Sequence, residues 1–131
     1  MNRNWCKLIV VCAAALFLPS CGRDQQLVSI AVTPSEFIFE GVGARAQFTA
    51  LGTYEHPPAT KDITNQVVWK IDVSYLATIT QTGMVTGLSV CGSGNVSATY
   101  SSNPANPSQG SLIIGTAVVK GVNDGTPKCQ P

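Results

Sequence analysis

Val67, Trp69 and Ile71 alternate with Val68, Lys70 and Asp72 and share one face of an extended chain. This period of two is typical of a strand with one buried face. The same alternation recurs in further segments, at residues 27–33, 45–54, 77–79 and 94–100. Gly, Pro, Asn and Ser cluster between these segments and predict turns. The pattern therefore predicts an all-β sandwich of about seven to eight short strands.

The alternation also indicates which side chains lie inside. In the first strand we expect Val28, Ile30 and Val32 to share the inward face, and we expect residues 45–54 to form one long strand. The predicted core consists of six side chains from five strands: Trp69, Phe48, Ile30, Val32, Ile79 and Val96. Trp69 is expected at the centre because a large aromatic ring contributes most when it is fully buried.

Several short motifs resemble the bacterial immunoglobulin-like domain, group two. Ile63-Thr64 precedes the Trp69 strand, Ala-Thr-Ile follows at residues 77–79, and residues 83–87 fit the pattern G-x-V-T-G. An A-x-F-x-A pattern at residues 46–50 also fits. The resemblance covers residues 27–122 and implies an immunoglobulin-like sandwich with a role at the cell surface.

The N-terminus has the pattern of an export signal. Two basic residues precede an apolar run at residues 8–18, which is too short for a comfortable membrane span. The sequence Leu-Pro-Ser-Cys at residues 18–21 resembles the lipobox of bacterial lipoproteins, which implies a cleaved signal peptide (1–20), lipidation of Cys21 and a tether (21–26). Gly22 follows that cysteine, and this resembles the pattern of lipoproteins that are sorted to the outer membrane. The alternative is an ordinary signal peptide that leaves Cys21 unmodified.

Charge and cysteine usage narrow the class of protein further. From residue 21 onward the chain keeps six of the eight basic residues and all seven acidic ones, a formal net charge of −1. This balance gives nucleic-acid binding no electrostatic support. Cys91 and Cys129 remain as an even pair in an exported chain, and we expect a disulfide, with two free thiols as the alternative. In the resembled fold the connection holding Cys91 lies at the pole where the last strand ends, beside the polar tail (123–131).

The sequence offers little catalytic chemistry. His56 is the only histidine, it lies in a proline-containing loop, and no nucleophile motif accompanies it. We therefore predict no enzyme activity, no cofactor and no metal centre; a small hydrolase is the disfavoured rival. A weak calcium site at Asp62 or Asp72 stays open, because related sandwiches bind calcium between loops.

The resulting hypothesis is a non-catalytic, lipid-anchored module of the bacterial cell envelope that serves adhesion, ligand binding or structural spacing. The alternative is an accessory lipoprotein subunit of an envelope complex. The expected partners are the membrane, through the anchor, and an envelope protein or carbohydrate. A ligand, if the module binds one, is expected at two long loops, residues 55–65 and 101–110, which share the pole where the first strand begins. The alternative is that both loops are simply long and solvated. The candidate residues in them are His56, Pro57, Pro58, Asn103, Pro104 and Asn106.

Overall fold

The computed structural model describes residues 25–122, which form ten strands and one short 3-10 helix. The strands are β1 (Gln26–Thr33), β2 (Glu36–Phe39), β3 (Arg45–Gln47), β4 (Thr49–Glu55), β5 (Ala59–Asp62), β6 (Val68–Ile71), β7 (Ala77–Ile79), β8 (Met84–Gly87), β9 (Gly92–Ser101) and β10 (Leu112–Gly121). The predicted all-β fold is confirmed. The predicted signal peptide, most of the tether, the C-terminal tail, Cys21 and Cys129 lie outside the described residues.

The strands form one four-stranded sheet and two three-stranded ladders. The sheet has the order β2-β10-β9-β6, and the ladders have the orders β1-β4-β5 and β3-β8-β7. The two ladders adjoin at Phe48, which separates β3 from β4. The Phe48 ring meets the Phe37 ring of β2 edge to face, with their centroids 6.5 Å apart. This contact joins the ladders to the four-stranded sheet across the core.

The core draws side chains from most of these strands. Phe48 and Val96 are fully buried, Trp69 is 2% exposed, and Ile30 and Val32 are buried beside them. Ile79 is only partly buried and packs against the edge of this cluster. The cluster contains residues from the four-stranded sheet and from both three-stranded ladders. Truncating its largest side chains would therefore loosen the packing between the sheet and the ladders.

The first strand departs from its expected pattern. Leu27 is 5% exposed, whereas Val28 is 41% exposed and points outward. The register of β1 against β4 shifts between Leu27 and Ser29, which marks a bulge or irregularity. An extra residue in one strand reverses the facing of the residues on one side of it. The expectation that Val28 lies inward was therefore wrong, while Ile30 and Val32 do face the core.

Two other expectations about strand boundaries need correction. Residues 45–54 do not form one strand, because β3 pairs with β8 while β4 pairs with β1 and β5. At the change of partner, the Phe48 N–H donates to Gly83 O instead, at 2.8 Å. Residues 55–65 are not one loop either, since β5 lies within them as an edge strand. Two adjacent prolines precede β5, which is where an edge strand tolerates them.

Thr64 explains why the Ile-Thr pair precedes the Trp69 strand. Its hydroxyl accepts the Ala50 N–H at 3.0 Å, and its carbonyl accepts the Trp69 indole N–H at 2.9 Å. Ile63 beside it is 1% exposed. A buried backbone N–H and a buried indole N–H both need acceptors, and Thr64 supplies the two. This part of the motif stabilises the fold.

The glycines of the G-x-V-T-G segment have equally structural reasons. Gly83 has a φ of +84°, and a Cβ there would collide with the Phe48 carbonyl oxygen. A Cβ on Gly87 would lie 2.5 Å from the Phe39 ring. Only glycine fits a left-handed conformation under a neighbouring carbonyl, so the turn before β8 requires Gly83.

Candidate ligand-binding pole

One end of the sandwich gathers the start of β1, the β4–β5 turn and the β9–β10 connection. We name it the N-terminal pole and define it as residues 25–28, 54–61 and 100–113. Gln26 pairs with Glu55 and Leu27 with Tyr54, so the chain enters the fold beside the β4–β5 turn. Ser101 pairs with Leu112 at the end of β9. This is the pole at which both long loops were expected.

The β4–β5 turn is exposed and contacts the start of the described chain. His56 has a left-handed φ of 57°, the His56–Pro57 peptide bond is cis, and Pro57 and Pro58 are exposed. The Gln25 side chain donates from Nε2 to Pro57 O at 3.2 Å, and its Oε1 accepts the Lys61 ammonium. The turn is therefore tied to the residues that lead from the predicted anchor.

The β9–β10 connection is organised by its own polar side chains. The Ser101 hydroxyl donates to Asn103 O at 3.0 Å, and Asn103 Oδ1 accepts the Asn106 N–H at 3.1 Å. Asn106 Oδ1 accepts the Ser108 hydroxyl at 2.8 Å as the chain enters the 3-10 helix Pro107–Gln109. Asn103 and Asn106 thus shape the loop through their acceptors.

A cleft of about 610 Å³ lies between the two loops at their bases. This volume is within the usual range for small-ligand sites. The residues that line it, among those the structure describes, are all uncharged: Gln25, Gln26, Leu27, Val28, Tyr54, Tyr100, Ser102, Ser111 and Ile113. Burial raises the pKa of the Tyr54 phenol above its ordinary value, and the nearby Tyr100 phenol raises it further. The Tyr54 phenol therefore keeps its proton at neutral pH.

A second cleft of about 540 Å³ lies on the outer face of the four-stranded sheet, beneath the β9–β10 loop. Val68 and Leu112 line it and are 50% and 54% exposed; Pro104 and Lys70 line it as well. Tyr100 borders both clefts. Of the six predicted loop residues, Pro104 alone lines either cleft. The structure brings the loop bases together, whereas the predicted residues lie mainly at the loop tips.

Tyr54, Tyr100, Gln25 and Gln26 were not among the candidate binding residues predicted from the sequence. Each tyrosine is the second-to-last residue of its strand, and a turn-forming segment follows the strand. An aromatic residue in that position has one side on the core and its polar tip near solvent. A tyrosine close to a strand end could therefore have been selected from the sequence as a candidate binding residue.

Cys91 lies at the opposite pole, in the connection between β8 and β9. The next residue, Gly92, pairs with Gly121 at the end of β10. The expected partner, Cys129, follows Gly121 by eight positions and lies outside the described residues. The position of Cys91 beside the end of the last strand is the arrangement on which the expected disulfide depends.

Asp62 and Asp72 hold backbone groups in place. The side chain and backbone N–H of Thr64 bond to Asp62 and lower its pKa; the backbone contact to Oδ1 is 2.9 Å. Both oxygens of Asp72 accept bonds from Asn95, through the side-chain amide at 2.8 Å and the backbone N–H at 2.7 Å, and these lower its pKa.

Within residues 25–122, no three His, Cys, Asp or Glu side chains form a group that could hold a metal ion. No helix in this range is long and apolar enough to cross a membrane.

Comparison with known proteins places this geometry in context. The model of the bacterial Ig-like domain (group 2) matches residues 27–109. Ice-binding protein 1 of Shewanella frigidimarina (strain NCIMB 400) is 44% identical over 62 residues, which cover 47% of this chain and 7% of that protein. The chain therefore spans less than a tenth of the length of this relative.

Proposed function

Because this chain belongs to the bacterial Ig-like domain (group 2) family, we propose that it is a non-catalytic binding module of the bacterial cell envelope. In this proposal acyl chains on Cys21 hold it on a membrane, with the outer membrane as the expected site. The N-terminal pole binds a ligand close to that membrane. Domains of this family generally serve as structural and binding modules, which supports a role without catalysis.

One observation carries the proposal: the pole that holds the cleft is the pole at which the chain enters the fold. Gln25 contacts the β4–β5 turn and lines the cleft, and it follows Cys21 by only four residues. Four extended residues reach at most about 14 Å. A lipid on Cys21 would keep the cleft within that distance of the bilayer surface, so the ligand would be a component of the envelope itself.

Anchoring is tested by fractionating cells that produce the wild-type chain, Cys21→Ala or Cys12→Ala. Each buried methylene of an acyl chain contributes about 0.8 kcal/mol, so two or three chains anchor stably where one does not. We expect Cys21→Ala to leave the membrane fraction or to accumulate uncleaved. Cys12→Ala, the matched control within the predicted signal peptide, should behave as wild type. Wild-type behaviour of Cys21→Ala, in both cleavage and fractionation, would overturn the lipid anchor.

Binding through the N-terminal pole is tested by capture from native envelope. One variant replaces residues 55–58 and another replaces residues 103–109, each with a short Gly-Ser turn. Apart from the half-buried Asn103 both segments are exposed, and neither contributes a core side chain, so the fold should persist. We expect the double variant to lose captured material that wild type retains. Equal capture by both proteins would place the binding surface elsewhere.

The second candidate is a subunit of an envelope complex, and an exposed apolar strip favours it. Val68, Leu112 and Ile114 are each at least 50% exposed on the outer face of the four-stranded sheet. Thr99 pairs with both Val68 and Ile114, so the strip is continuous across three strands. Val68→Asp combined with Ile114→Asp should abolish association with a protein partner while leaving the loop-dependent capture unchanged.

A further inference from the structure

We propose that the 610 Å³ cleft of the N-terminal pole binds a neutral oligosaccharide, with Tyr100 as its principal contact. This inference rests on the proposed binding function and names the chemical class of the ligand. Its support comes from three properties of the cleft: the polar groups that have no partner, the position of the tyrosines and the absence of charge from the described lining.

The cleft holds several polar groups that are available to a ligand. Within residues 25–122, no hydrogen bond involves the hydroxyl of Tyr54, Tyr100 or Ser111, or the side-chain amide of Gln26. These are three groups that both donate and accept and one amide with both functions. A sugar ring carries hydroxyl groups of the same dual character at close intervals. Such a ligand can satisfy several of these groups at once.

The tyrosines supply the apolar part of the site. Tyr100 is partly buried and lines both clefts at the base of the β9–β10 loop. Leu27, Val28 and Ile113 complete the apolar lining. The C–H face of a pyranose packs on an aromatic ring while its hydroxyl groups reach polar neighbours. A cleft lined by apolar surface with a few convergent polar groups is the usual form of a small-ligand site.

Charge distinguishes a neutral sugar from an anionic one. Every described residue that lines the cleft is uncharged. Lys61 lies nearby, but its ammonium is already held by Gln25 Oε1 and lies 5.0 Å from the centroid of the Tyr54 ring. An anionic sugar would enter the cleft without a free cation to offset the loss of its hydration. The site therefore favours neutral hydroxyl- or acetamido-bearing sugars.

The test uses the full chain, purified from the cell fraction that holds it in a detergent without a sugar headgroup. The probes are tetra-N-acetylchitotetraose and cellotetraose as neutral ligands and tetragalacturonate as the anionic one. Titration calorimetry and saturation-transfer NMR measure binding. We expect at least one neutral probe to bind with a Kd of about 0.1–1 mM, which corresponds to about 4–5.5 kcal/mol, and tetragalacturonate to bind at least tenfold more weakly.

Variants assign the binding to the cleft. Tyr100→Ala should weaken it at least tenfold, and Tyr100→Phe, which removes only the hydroxyl, should weaken it a few-fold. Gln26 is exposed, so the substitution Gln26→Ala should leave the domain folded. It should also weaken binding a few-fold. Tyr75→Ala is the matched control, because Tyr75 is 69% exposed and lies outside both clefts.

Three results would overturn the inference: no binding of either neutral probe, equal binding of tetragalacturonate, or unchanged affinity in both Tyr100→Ala and Gln26→Ala. Residues 21–24 are present in the tested protein, so a cleft filled by this segment would give the first result. Loop-dependent capture of an envelope protein, together with no sugar binding, would overturn the ligand class and retain the proposed function. Loss of both would overturn the two together.

Discussion

The Trp69 strand and the N-terminal pole use their aromatic side chains in opposite ways. Trp69 is 2% exposed, and its indole N–H donates to Thr64 O at 2.9 Å. Tyr54 and Tyr100 are only partly buried, and their hydroxyl groups have no hydrogen-bond partner among residues 25–122. Trp69, the aromatic residue of the family motif, uses both its ring and its N–H group to stabilise the fold. The two tyrosines outside that motif retain the capacity to bind something else.

This difference separates what the family resemblance explains from what it leaves open. Ile63, Thr64, Gly83 and Gly87 all have structural reasons for their identity, so the motif accounts for the sandwich without specifying a ligand. Apart from Leu27, which belongs to the core, the cleft residues lie near strand ends and loops, where sequence varies more than inside the fold. The predictions that follow test the core side of this comparison, from the largest expected effect to the smallest.

Trp69→Ala should have the largest effect on stability. Truncating a buried aromatic residue costs about 3–5 kcal/mol, a large share of the roughly 5–15 kcal/mol that stabilises a small domain. Chemical denaturation with far-UV circular dichroism measures the loss. Tyr75→Ala is the control, since that side chain is 69% exposed. A melting temperature within a few degrees of wild type would show that Trp69 does not organise the core.

The proposed Cys91–Cys129 disulfide comes next. It would close a loop of about 39 residues and stabilise the domain by about 4 kcal/mol in the chain-entropy model. Intact mass of the mature protein, measured before and after reduction of the alkylated chain, should show one disulfide, and Cys91→Ser with Cys129→Ser should melt at a lower temperature. Detection of two free thiols in protein isolated without reductant would refute the pairing.

Thr64→Val should cost about 1–3 kcal/mol, because it leaves the buried Ala50 N–H without the hydroxyl that accepts it at 3.0 Å. The change keeps the volume and the Thr64 carbonyl that accepts the indole N–H. We expect the melting temperature to fall by about 5–15 °C. Thr53→Val, at an exposed position of β4, is the control. An effect no larger than that of the control would mean that water replaces the hydroxyl.

Acid should weaken the domain through Asp62 and Asp72. Hydrogen bonds from Thr64 and Asn95 lower the pKa values of these carboxyls in the folded state. Their stabilising contribution is therefore complete above the unfolded-state pKa of about 3.9 and is lost as the pH falls through the lower folded-state values. The urea concentration at the unfolding midpoint, measured from pH 6 to pH 2, should decrease once the pH is below about 4. Asp72→Asn should flatten that dependence more than Glu40→Gln, an exposed control.

The alternation of residues 67–71 and the motifs around them were enough to predict a sandwich with an inward Trp69. Side-chain alternation follows directly from backbone geometry, and a glycine with positive φ is a local requirement, so both are readable from sequence. Phe48, Ile30, Val32 and Val96 also lie inside, as their period predicts.

Tertiary structure alone decided the rest. The irregularity between Leu27 and Ser29 exchanges the facing of Leu27 and Val28, and the pairing partner changes at Phe48; both depend on strands distant in sequence. The same holds for the cleft. Tyr54 and Tyr100 are 46 positions apart, and only the packing of β1, β4, β9 and β10 brings them to one site. Periodicity records which side a residue faces, but it carries no information on which distant residue stands beside it.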